Sequence, residues 1–466
     1  MSNPPREACG VVGVFTPGEE AARAAFFGLF SLQHRGQESA GIAVSDGKTI
    51  SCRKEMGLVS QAFHEFDLSR LQGHIAIGHT RYSTTGSTHL GNAQPLEVEG
   101  IHGRLALAHN GNVINALPLR DEMERDWGCR FSTATDSEVI AQLLVNAPGK
   151  DWNERITYLM RRLQGAYSVT VLTEDTLIAI RDPLGVRPLC IGVYNGGWVV
   201  ASESCALDQI GASLLRELEP GEAIQIDADG QRTIHNGNEG KRSICSFEYI
   251  YFSRPDSILE KRPVHSARRE MGRQLALQAP VDADMVMGIP DSAIAAGVGY
   301  AEAAGIPYQE GLIKNRYVGR TFIQPDQKLR DLGVRLKFNP LPEVLTGKRV
   351  IVVDDSIVRG TTTPHVVNLL RSAGAKEVHL RVCAPPIVSP CHFGVDMASK
   401  GELLAAQKSI EEIREFIGAD SLEYLTVNGL FEAIGKEANQ CCAACFTGQY
   451  PIEVQLELDK MVLERN

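Results

Sequence analysis

The sequence predicts a protein of mixed α/β and α+β class, with antiparallel sheets first and a parallel sheet after them. Up to about residue 220, apolar strands alternate with turns and a few amphipathic helices, and the clearest strands are at residues 10–15, 75–78, 105–109, 167–172 and 198–201. Later strands, at residues 283–289, 349–353 and 377–382, alternate instead with helical segments. That rhythm of strand, helix and strand implies a parallel, doubly wound sheet.

Residues 227–241, DADGQRTIHNGNEGK, are the best candidate for a domain boundary because they are rich in turn residues and have little apolar periodicity. We therefore divide the chain into a first domain at 9–235 and a second domain at 236–466. Residues 403–417 are predicted to form one helix. A cysteine-rich tail follows that helix.

Composition narrows the class of protein. The 466 residues are 43% hydrophobic and 22% charged, which is typical of a soluble globular chain, and the net charge of -10 disfavours a nucleic-acid partner. Residues 1–8 have no apolar segment that could serve as a secretory signal, and the small-residue stretch at 293–301 is too short to span a membrane. We expect a cytoplasmic protein, in which the eleven cysteines serve as thiols or metal ligands rather than as disulfides.

The most informative stretch is KRVIVVDDSIVRGTTT at residues 348–363. A buried strand at 350–353 ends in Asp354 and Asp355, and a loop of arginine, glycine and threonines leads to Pro364 at the start of a helix. Backbone N–H groups in such a loop converge on a phosphate, and paired acids beside it can hold ribose hydroxyls or a divalent metal. A lone Asp-Asp would read as an ordinary strand end, but the complete run does not.

This run resembles the phosphoribosyltransferase signature, and no Walker nucleotide loop is present. The resemblance implies a type I phosphoribosyltransferase fold with Mg²⁺ bound near Ser292, Asp354 and Asp355. Residues 314–337 carry seven cations against two acids and resemble the mobile loop that covers the substrate in that family. The residues implied to bind phosphoribosylpyrophosphate (PRPP) are Lys337, Asp354, Asp355, Arg359, Gly360, Thr361, Thr362 and Thr363.

Cys9 precedes an apolar strand, where a single cysteine is ordinarily a small core residue. If residues 1–8 were removed as a propeptide, Cys9 would carry a free α-amino group. With a pKa near 8, that amine suits the role of base for the neighbouring thiol.

Several scattered motifs resemble those of the N-terminal nucleophile (Ntn) glutaminases: HRGQESAGI at 34–42, HTRYST at 79–84, HNGN at 109–112 and TDSE at 135–138. The resemblance implies a first domain of stacked antiparallel sheets with Cys9 as nucleophile. It implies that Arg81 binds the α-carboxylate of glutamine and Asp136 its α-ammonium. The Asn110 side chain and the Gly111 N–H would form the oxyanion hole.

Four cysteines form a further candidate site. Cys442 and Cys445 make a C-x-x-C pair, whereas Cys245 and Cys391 lie far upstream, and this spacing suits zinc and an iron-sulfur cluster equally. The sequence also resembles the iron-sulfur branch of the glutamine PRPP amidotransferases, which implies that these four residues ligate a 4Fe-4S cluster with a structural role. Cys441 is interpreted as a bystander, and five further cysteines as packing residues: Cys52, Cys129, Cys190, Cys205 and Cys383.

The resemblance extends from Cys9 to about Ile452. It implies that ammonia released from glutamine passes through the interior and displaces pyrophosphate from PRPP, giving 5-phosphoribosylamine for purine synthesis. It further implies feedback inhibition by purine nucleotides and a homotetramer. Two other functions fit the sequence less well than this one. A sugar-phosphate aminating enzyme would need an isomerase-type second half, and residues 350–363 argue against that. A PRPP-sensing regulator would need a basic DNA-binding domain, whereas this chain is acidic.

Overall fold

The computed structural model describes residues 9–18, 20–82, 87–237, 242–315, 337–395, 397, 399–454 and 463. The propeptide prediction at 1–8 and most of the predicted substrate-covering loop, at 316–336, lie outside the described residues. Among the helices in these ranges, none combines the length and the hydrophobicity that a bilayer crossing requires.

The first part of the chain is built from antiparallel strands. These are β1 Gly10–Phe15, β2 Ser39–Ser45, β3 Ile50–Met56, β4 Ile75–Arg81, β5 Leu96–Gly100, β6 Gly103–Val113, β7 Gly165–Leu172, β8 Leu177–Arg181, β9 Cys190–Tyr194, β10 Gly197–Ala201, β11 Ser213–Glu217, β12 Ala223–Asp227 and β13 Gly230–His235. In the described residues they form a seven-stranded sheet, β11-β9-β10-β1-β4-β2-β3, and a six-stranded sheet, β13-β12-β8-β7-β6-β5. The prediction of antiparallel sheets is confirmed.

These two sheets pack face to face, with helices covering the outer faces. Side chains alternate along β1, so that Val11 and Phe15 lie in the core between the sheets while Val12 and Val14 face the helical layer. The helices of this part are Ala21–Ser31, Val59–Ala62, Glu65–Leu68, Ala116–Asp126, Asp136–Asn146, Trp152–Arg162 and Ser204–Gln209. The result is a four-layer sandwich in which each sheet buries both faces.

The rest of the chain surrounds a parallel sheet. Its strands are β14 Ile244–Cys245, β15 Ile258–Leu259, β16 Arg262–Pro263, β17 Met285–Gly288, β18 Leu312–Lys314, β19 Phe338–Pro340, β20 Arg349–Asp354, β21 Glu377–Val382, β22 Ser421–Tyr424 and β23 Cys441–Cys442. Within the described chain, β17-β20-β21-β22 form one four-stranded sheet with every neighbouring pair parallel. The α-helices of this part are Val264–Gln278, Ile294–Ala304, Pro342–Leu345, Thr363–Ser372, Leu404–Gln407, Ile410–Ile417, Val427–Ile434 and Ala444–Thr447.

One sequence prediction needs correction, and one predicted turn region contains a strand. Residues 403–417 are not one helix, because Ser409 interrupts them and caps the second helix: its side chain accepts from the Glu412 N–H, and its own N–H donates to the Glu412 carboxylate. The turn-rich stretch at 227–241 contains a strand, β13, which pairs with β12 at the edge of the six-stranded sheet. An edge strand is exposed on one side, so its residues lack the apolar signal of a core strand.

Candidate active sites and cysteine centre

Cys9 lies immediately before β1, and its side chain is buried. The thiol donates to the backbone oxygen of Tyr82 at 3.3 Å, and the Tyr82 N–H donates to the sulfur at 3.4 Å. Burial raises the pKa of the Cys9 thiol to about 11. The nucleophile predicted from the sequence is thus held mostly as the neutral thiol at physiological pH.

Two charged residues predicted to bind glutamine lie close enough to this thiol to change its pKa. Arg81 ends β4, the strand next to β1, and its guanidinium lies 3.9 Å from the Glu38 carboxylate. Asp136 begins the helix Asp136–Asn146, and its carboxylate accepts the Val113 N–H at 2.9 Å. After the dominant effect of burial, Arg81 lowers and Asp136 raises the pKa of Cys9, so both charges lie close to the sulfur. Thr135 caps this helix, because its side chain accepts from the Glu138 N–H.

The predicted oxyanion-hole residues lie on β6, opposite β7. The Asn110 side chain is completely buried, and neither its amide nitrogen nor its amide oxygen bonds to any described residue. Gly111 has φ +149°, and a Cβ there would lie 2.0 Å from the Ala166 backbone oxygen, so only glycine fits. An unpaired buried amide is costly to the fold, and a bound ligand is one way in which such a group gains its partner.

Two buried histidines support this site, and neither was given a role from the sequence. The ring of His79 lies 3.0 Å from the His109 backbone oxygen, and burial lowers the pKa of His79 to about 3. The ring of His109 contacts the Ser137 hydroxyl at 3.1 Å. Both residues are in motifs that the sequence singled out, HTR and HNGN, but nothing local showed that the two motifs meet.

The second candidate site is at the carboxyl end of β20. Asp354 is the last residue of that strand, and Asp355 accepts from the Ser356 hydroxyl at 2.6 Å and also bonds the Ser292 side chain. Burial raises the pKa of both aspartates, the Asp355 charge raises that of Asp354 further, and the Lys337 charge lowers both. Ser292 thus bonds Asp355, and Lys337 lies near enough for its charge to act on both acids.

The loop that follows β20 leads directly into the helix Thr363–Ser372, with Pro364 in its first turn. Gly360 adopts φ +66°, the left-handed conformation that favours glycine. Thr361 and Thr362 are partly exposed, whereas Thr363 is buried. The Arg359 side chain forms an ion pair with Glu402.

Sequence reasoning missed a buried cation beside the aspartates. Arg268 donates to the Tyr249 and Ser253 backbone oxygens at 2.9 and 2.7 Å, and its charge lowers the pKa of Asp355. It is on the helix Val264–Gln278, more than 80 residues before the acidic pair, where no motif marks it. Only the tertiary structure reveals it.

The four cysteines predicted as ligands line one shared cavity, although they come from three distant segments: Cys245, Cys391, Cys442 and Cys445. Strand β14 pairs in parallel with β23, which aligns Cys245 with Cys442. Cys441 does not line the cavity, and neither do the five cysteines interpreted as packing residues. Within the described ranges, no three His, Cys, Asp or Glu side chains are placed closely enough to hold a single metal ion.

Comparisons with known proteins identify the two domains in which these candidate sites lie. The family model described as "Glutamine amidotransferase domain" matches residues 79–209, and the one described as "Phosphoribosyl transferase domain" matches residues 256–387. The amidophosphoribosyltransferase of Synechococcus elongatus is 50% identical to this chain, over 99% of this chain and 95% of its own length. The amidophosphoribosyltransferase of Bacillus subtilis is 49% identical, over 96% of this chain and 95% of its own length.

Two solved structures share the whole fold. Glutamine PRPP amidotransferase from B. subtilis, complexed with ADP and GMP, superposes with a TM-score of 0.90 at 49% identity, covering 96% of this chain and 98% of that one. A structure described as the allosteric regulatory enzyme of purine biosynthesis superposes with a TM-score of 0.91 at 48% identity, covering 96% and 97%.

The fold and the comparisons define a glutamine amidotransferase joined to a phosphoribosyltransferase, as the sequence predicted. The chain belongs to the amidophosphoribosyltransferase family. It is an enzyme with a glutamine amidotransferase domain and a PRPP transferase domain, as expected for the first step of purine biosynthesis.

Proposed function

We propose that Cys9 hydrolyses glutamine and that the ammonia attacks C1 of PRPP at the Asp354–Asp355 site, releasing pyrophosphate and giving 5-phosphoribosylamine. The observation that carries this proposal is the buried Cys9 thiol, whose pKa is affected by the charges of both Arg81 and Asp136. Ammonia in open water is mostly ammonium, which is not a nucleophile, so it travels through the interior of the protein.

Cys9 needs a base, because its buried thiol with a pKa of about 11 is hardly ionised at neutral pH. In the proposed mature enzyme, residues 1–8 are removed as a propeptide, and the new α-amino group of Cys9 takes the thiol proton. That proton is then delivered to the departing ammonia, as in other N-terminal nucleophile reactions.

The other residues of this site bind and orient glutamine. The Arg81 guanidinium pairs with the α-carboxylate, since a planar fork of donors matches a carboxylate. Asp136 accepts the α-ammonium. Asn110 and the Gly111 N–H donate to the oxyanion that forms when sulfur attacks the side-chain carbonyl, which would give the unpaired Asn110 amide its partner.

At the second site, the proposed cradle for the ribose and its phosphate consists of the acids at the end of β20 and the loop that follows. Asp354 and Asp355 hold the ribose hydroxyls, and Arg359, Gly360 and Thr361 to Thr363 bind the 5-phosphate. Lys337 neutralises the leaving pyrophosphate. Ser292, Asp354 and Asp355 suit Mg²⁺, a hard cation that prefers oxygen ligands and supplies charge neutralisation for the phosphates.

The four cysteines are proposed to hold a 4Fe-4S cluster rather than zinc, as the resemblance to the iron-sulfur branch of the family implies. The proposal is supported by the shared cavity that these four thiols, from three distant segments, line together. The cluster would tie together Cys245, Cys391 and the Cys442–Cys445 pair, and its role is structural because the reaction transfers no electrons.

The remaining parts of the proposal concern organisation and control. The domains are a propeptide at 1–8, an Ntn glutaminase at 9–235 and a phosphoribosyltransferase with its cluster-binding tail at 236–466; β13 ends at His235, which suits this boundary. Because the B. subtilis relative was solved with ADP and GMP, we propose purine nucleotides as feedback inhibitors of this enzyme too. We also propose a homotetramer in the cytoplasm.

The test is a comparison of Cys9→Ala with the wild type, using pyrophosphate release with glutamine and with an ammonium salt. The variant should lose the glutamine-dependent reaction and keep the ammonium-dependent one. Equal loss with both nitrogen donors would contradict the two-site scheme. N-terminal sequencing should find Cys9 first in active enzyme, and iron and zinc analysis of the purified protein decides the metal of the cysteine centre.

A further inference from the structure

A cluster of four charged side chains is completely enclosed between the antiparallel sheets and the parallel-sheet core. It consists of Arg35, Arg187, Glu203 and Glu248, each with at most 1% of its surface exposed. The first three belong to the proposed glutaminase domain. Glu248 belongs to the other proposed domain, since its neighbours Phe247 and Tyr249 pack in the core of the parallel sheet. We call this group the interdomain charge cluster.

Glu248 is the centre of the interdomain charge cluster. Its carboxylate accepts two bonds from Arg35, at 2.7 and 3.0 Å, and one from Arg187 at 3.1 Å. A fourth bond, at 2.7 Å, comes from the Ser253 hydroxyl. All four lone-pair positions of the carboxylate are therefore used, and Glu248 contributes to the orientation of both arginines.

Arg35 connects the interdomain charge cluster to Cys9, the proposed nucleophile. The Nε of Arg35, which Glu248 holds by its far edge, donates to the backbone oxygen of Cys9 at 3.1 Å. Because a guanidinium is rigid and planar, fixing two of its nitrogens fixes the direction of the third. The carbonyl carbon of Cys9 is bonded to the Cα that also carries the α-amine and, through Cβ, the thiol, so holding the carbonyl restricts where both groups lie.

Arg187 connects the interdomain charge cluster to the segment that packs against the proposed oxyanion hole. Arg187 donates twice to the Phe393 backbone oxygen, at 2.7 and 3.1 Å. The adjoining backbone packs against β6: Asn112 donates to the His392 oxygen at 2.9 Å, and a Cβ on Gly394 would lie 2.9 Å from the carbonyl carbon of Gly111. The segment 392–394 therefore supports Gly111 from behind.

Burying two ion pairs costs solvation that their attraction often fails to recover, so stability is a weak reason for such a cluster. We propose that Glu248 is a positioning residue for glutamine hydrolysis, which through Arg35 orients Cys9 and through Arg187 holds the oxyanion-hole strand. This inference rests on the proposed roles of Cys9 and Gly111. It makes the geometry of the glutaminase site depend on a side chain of the phosphoribosyltransferase domain.

The test is the ratio of glutamine-dependent to ammonium-dependent rates in Glu248→Gln, measured on full-length processed enzyme of matched iron content. An amide has one acceptor oxygen where the carboxylate has two, and it turns a donor toward an arginine. We expect kcat with glutamine to fall about 10- to 100-fold, the effect of sub-ångström to 1 Å misplacement, with a smaller change in KM and with the ammonium rate kept. Glu248→Asp, which keeps the charge, should lie between Gln and wild type.

Glu260→Gln is the matched control. Glu260 is also a buried carboxylate that joins the two parts, pairing with Arg181 at 3.5 Å and with Lys436 at 2.7 Å, but it does not contact Cys9 or Gly111. It should lower thermal stability and leave the ratio of rates unchanged. Equal loss with both nitrogen donors in Glu248→Gln, or a changed ratio in Glu260→Gln, would overturn the inference.

If Glu248→Gln is insoluble, the ratio of glutamine-dependent to ammonium-dependent rates is measured in Glu248→Asp instead. An unchanged ratio in that variant would count against the inference. Cys9→Ala separates the two proposals: if it retains glutamine turnover, the proposed function fails. If it behaves as expected while Glu248 variants keep the wild-type ratio, only the positioning role fails.

Discussion

Replacing Asn110 with leucine should abolish most glutamine hydrolysis without weakening the fold. The Asn110 amide is completely buried and bonds to no described residue, so the folded protein carries the desolvation penalty of that group, about 1–3 kcal/mol. Leucine has a similar branched shape and no polar atom. We therefore expect the free energy of unfolding to stay level or to rise by up to about 3 kcal/mol.

The rate of glutamine hydrolysis should fall in Asn110→Leu, although the free energy of unfolding does not. Losing one oxyanion-hole donor typically lowers kcat by about 10²- to 10³-fold, or roughly 3–4 kcal/mol of transition-state stabilisation. The assay is glutamate release from glutamine, followed beside pyrophosphate release with ammonium and urea unfolding of the same preparation. Only the reaction with glutamine should fall.

Thr170→Val is the matched control for Asn110→Leu. Thr170 is on the neighbouring strand β7, fully buried, and its hydroxyl bonds to no described residue. Valine there should also relieve a buried unpaired group, and kcat should not change. A drop of less than tenfold in Asn110→Leu, or a parallel loss with ammonium, would refute the assignment of Asn110 to the oxyanion hole.

Three further predictions follow from the geometry. In the unprocessed chain, a Cys9 pKa raised from 9.0 to about 11 lowers the thiolate fraction at pH 8 by about 100-fold, so alkylation of Cys9 should be slow and should accelerate up to pH 11; a plateau near pH 9 would contradict this. Burial lowers the pKa of His79 from 6.5 to about 3, so between these values the unfolded state binds a proton that the folded state does not. The free energy of unfolding should therefore fall as the pH drops below 6.5, by up to about 1.4 kcal/mol per pH unit. In His79→Gln, the free energy measured by urea unfolding should depend less steeply on pH. Gly360→Ala would place a Cβ at a positive φ and 2.4 Å from a Leu404 methyl, so the KM for PRPP should rise. Adding Leu404→Ala to this variant should remove the steric clash but not the backbone strain, and should therefore lower the KM only in part. An unchanged KM in Gly360→Ala would count against a role for this loop.

Several elements were predictable because their signal is local. Strand β1 covers the residues predicted for it, 10–15, and β20 extends the predicted 349–353 by a single residue. Both are runs of β-branched residues bounded by glycine or acids, which periodicity identifies well. The break at Ser409 and the edge strand β13 were missed, because capping and edge pairing override the hydrophobic pattern.

For the sites, the sequence by itself determined which residues are chemically equipped: Cys9, Asn110, the acidic pair at 354–355 and the four cysteines of the centre. Their functional groups are intrinsic to the residue types, and their neighbours along the chain form motifs. The spacing of the cysteines could not choose between zinc and a cluster, because ligand separation in space is not encoded by separation in sequence.

Only the tertiary structure decided which side chains meet. Arg35 and Glu248 are 213 positions apart, and Asn112 and the His392 oxygen are 280 apart. The partner of a buried charge or amide is the group that tertiary packing places beside it, and no pattern in the local sequence predicts that partner. The sequence therefore specified the chemistry of each predicted site, and folding specified the buried contacts around the predicted nucleophile.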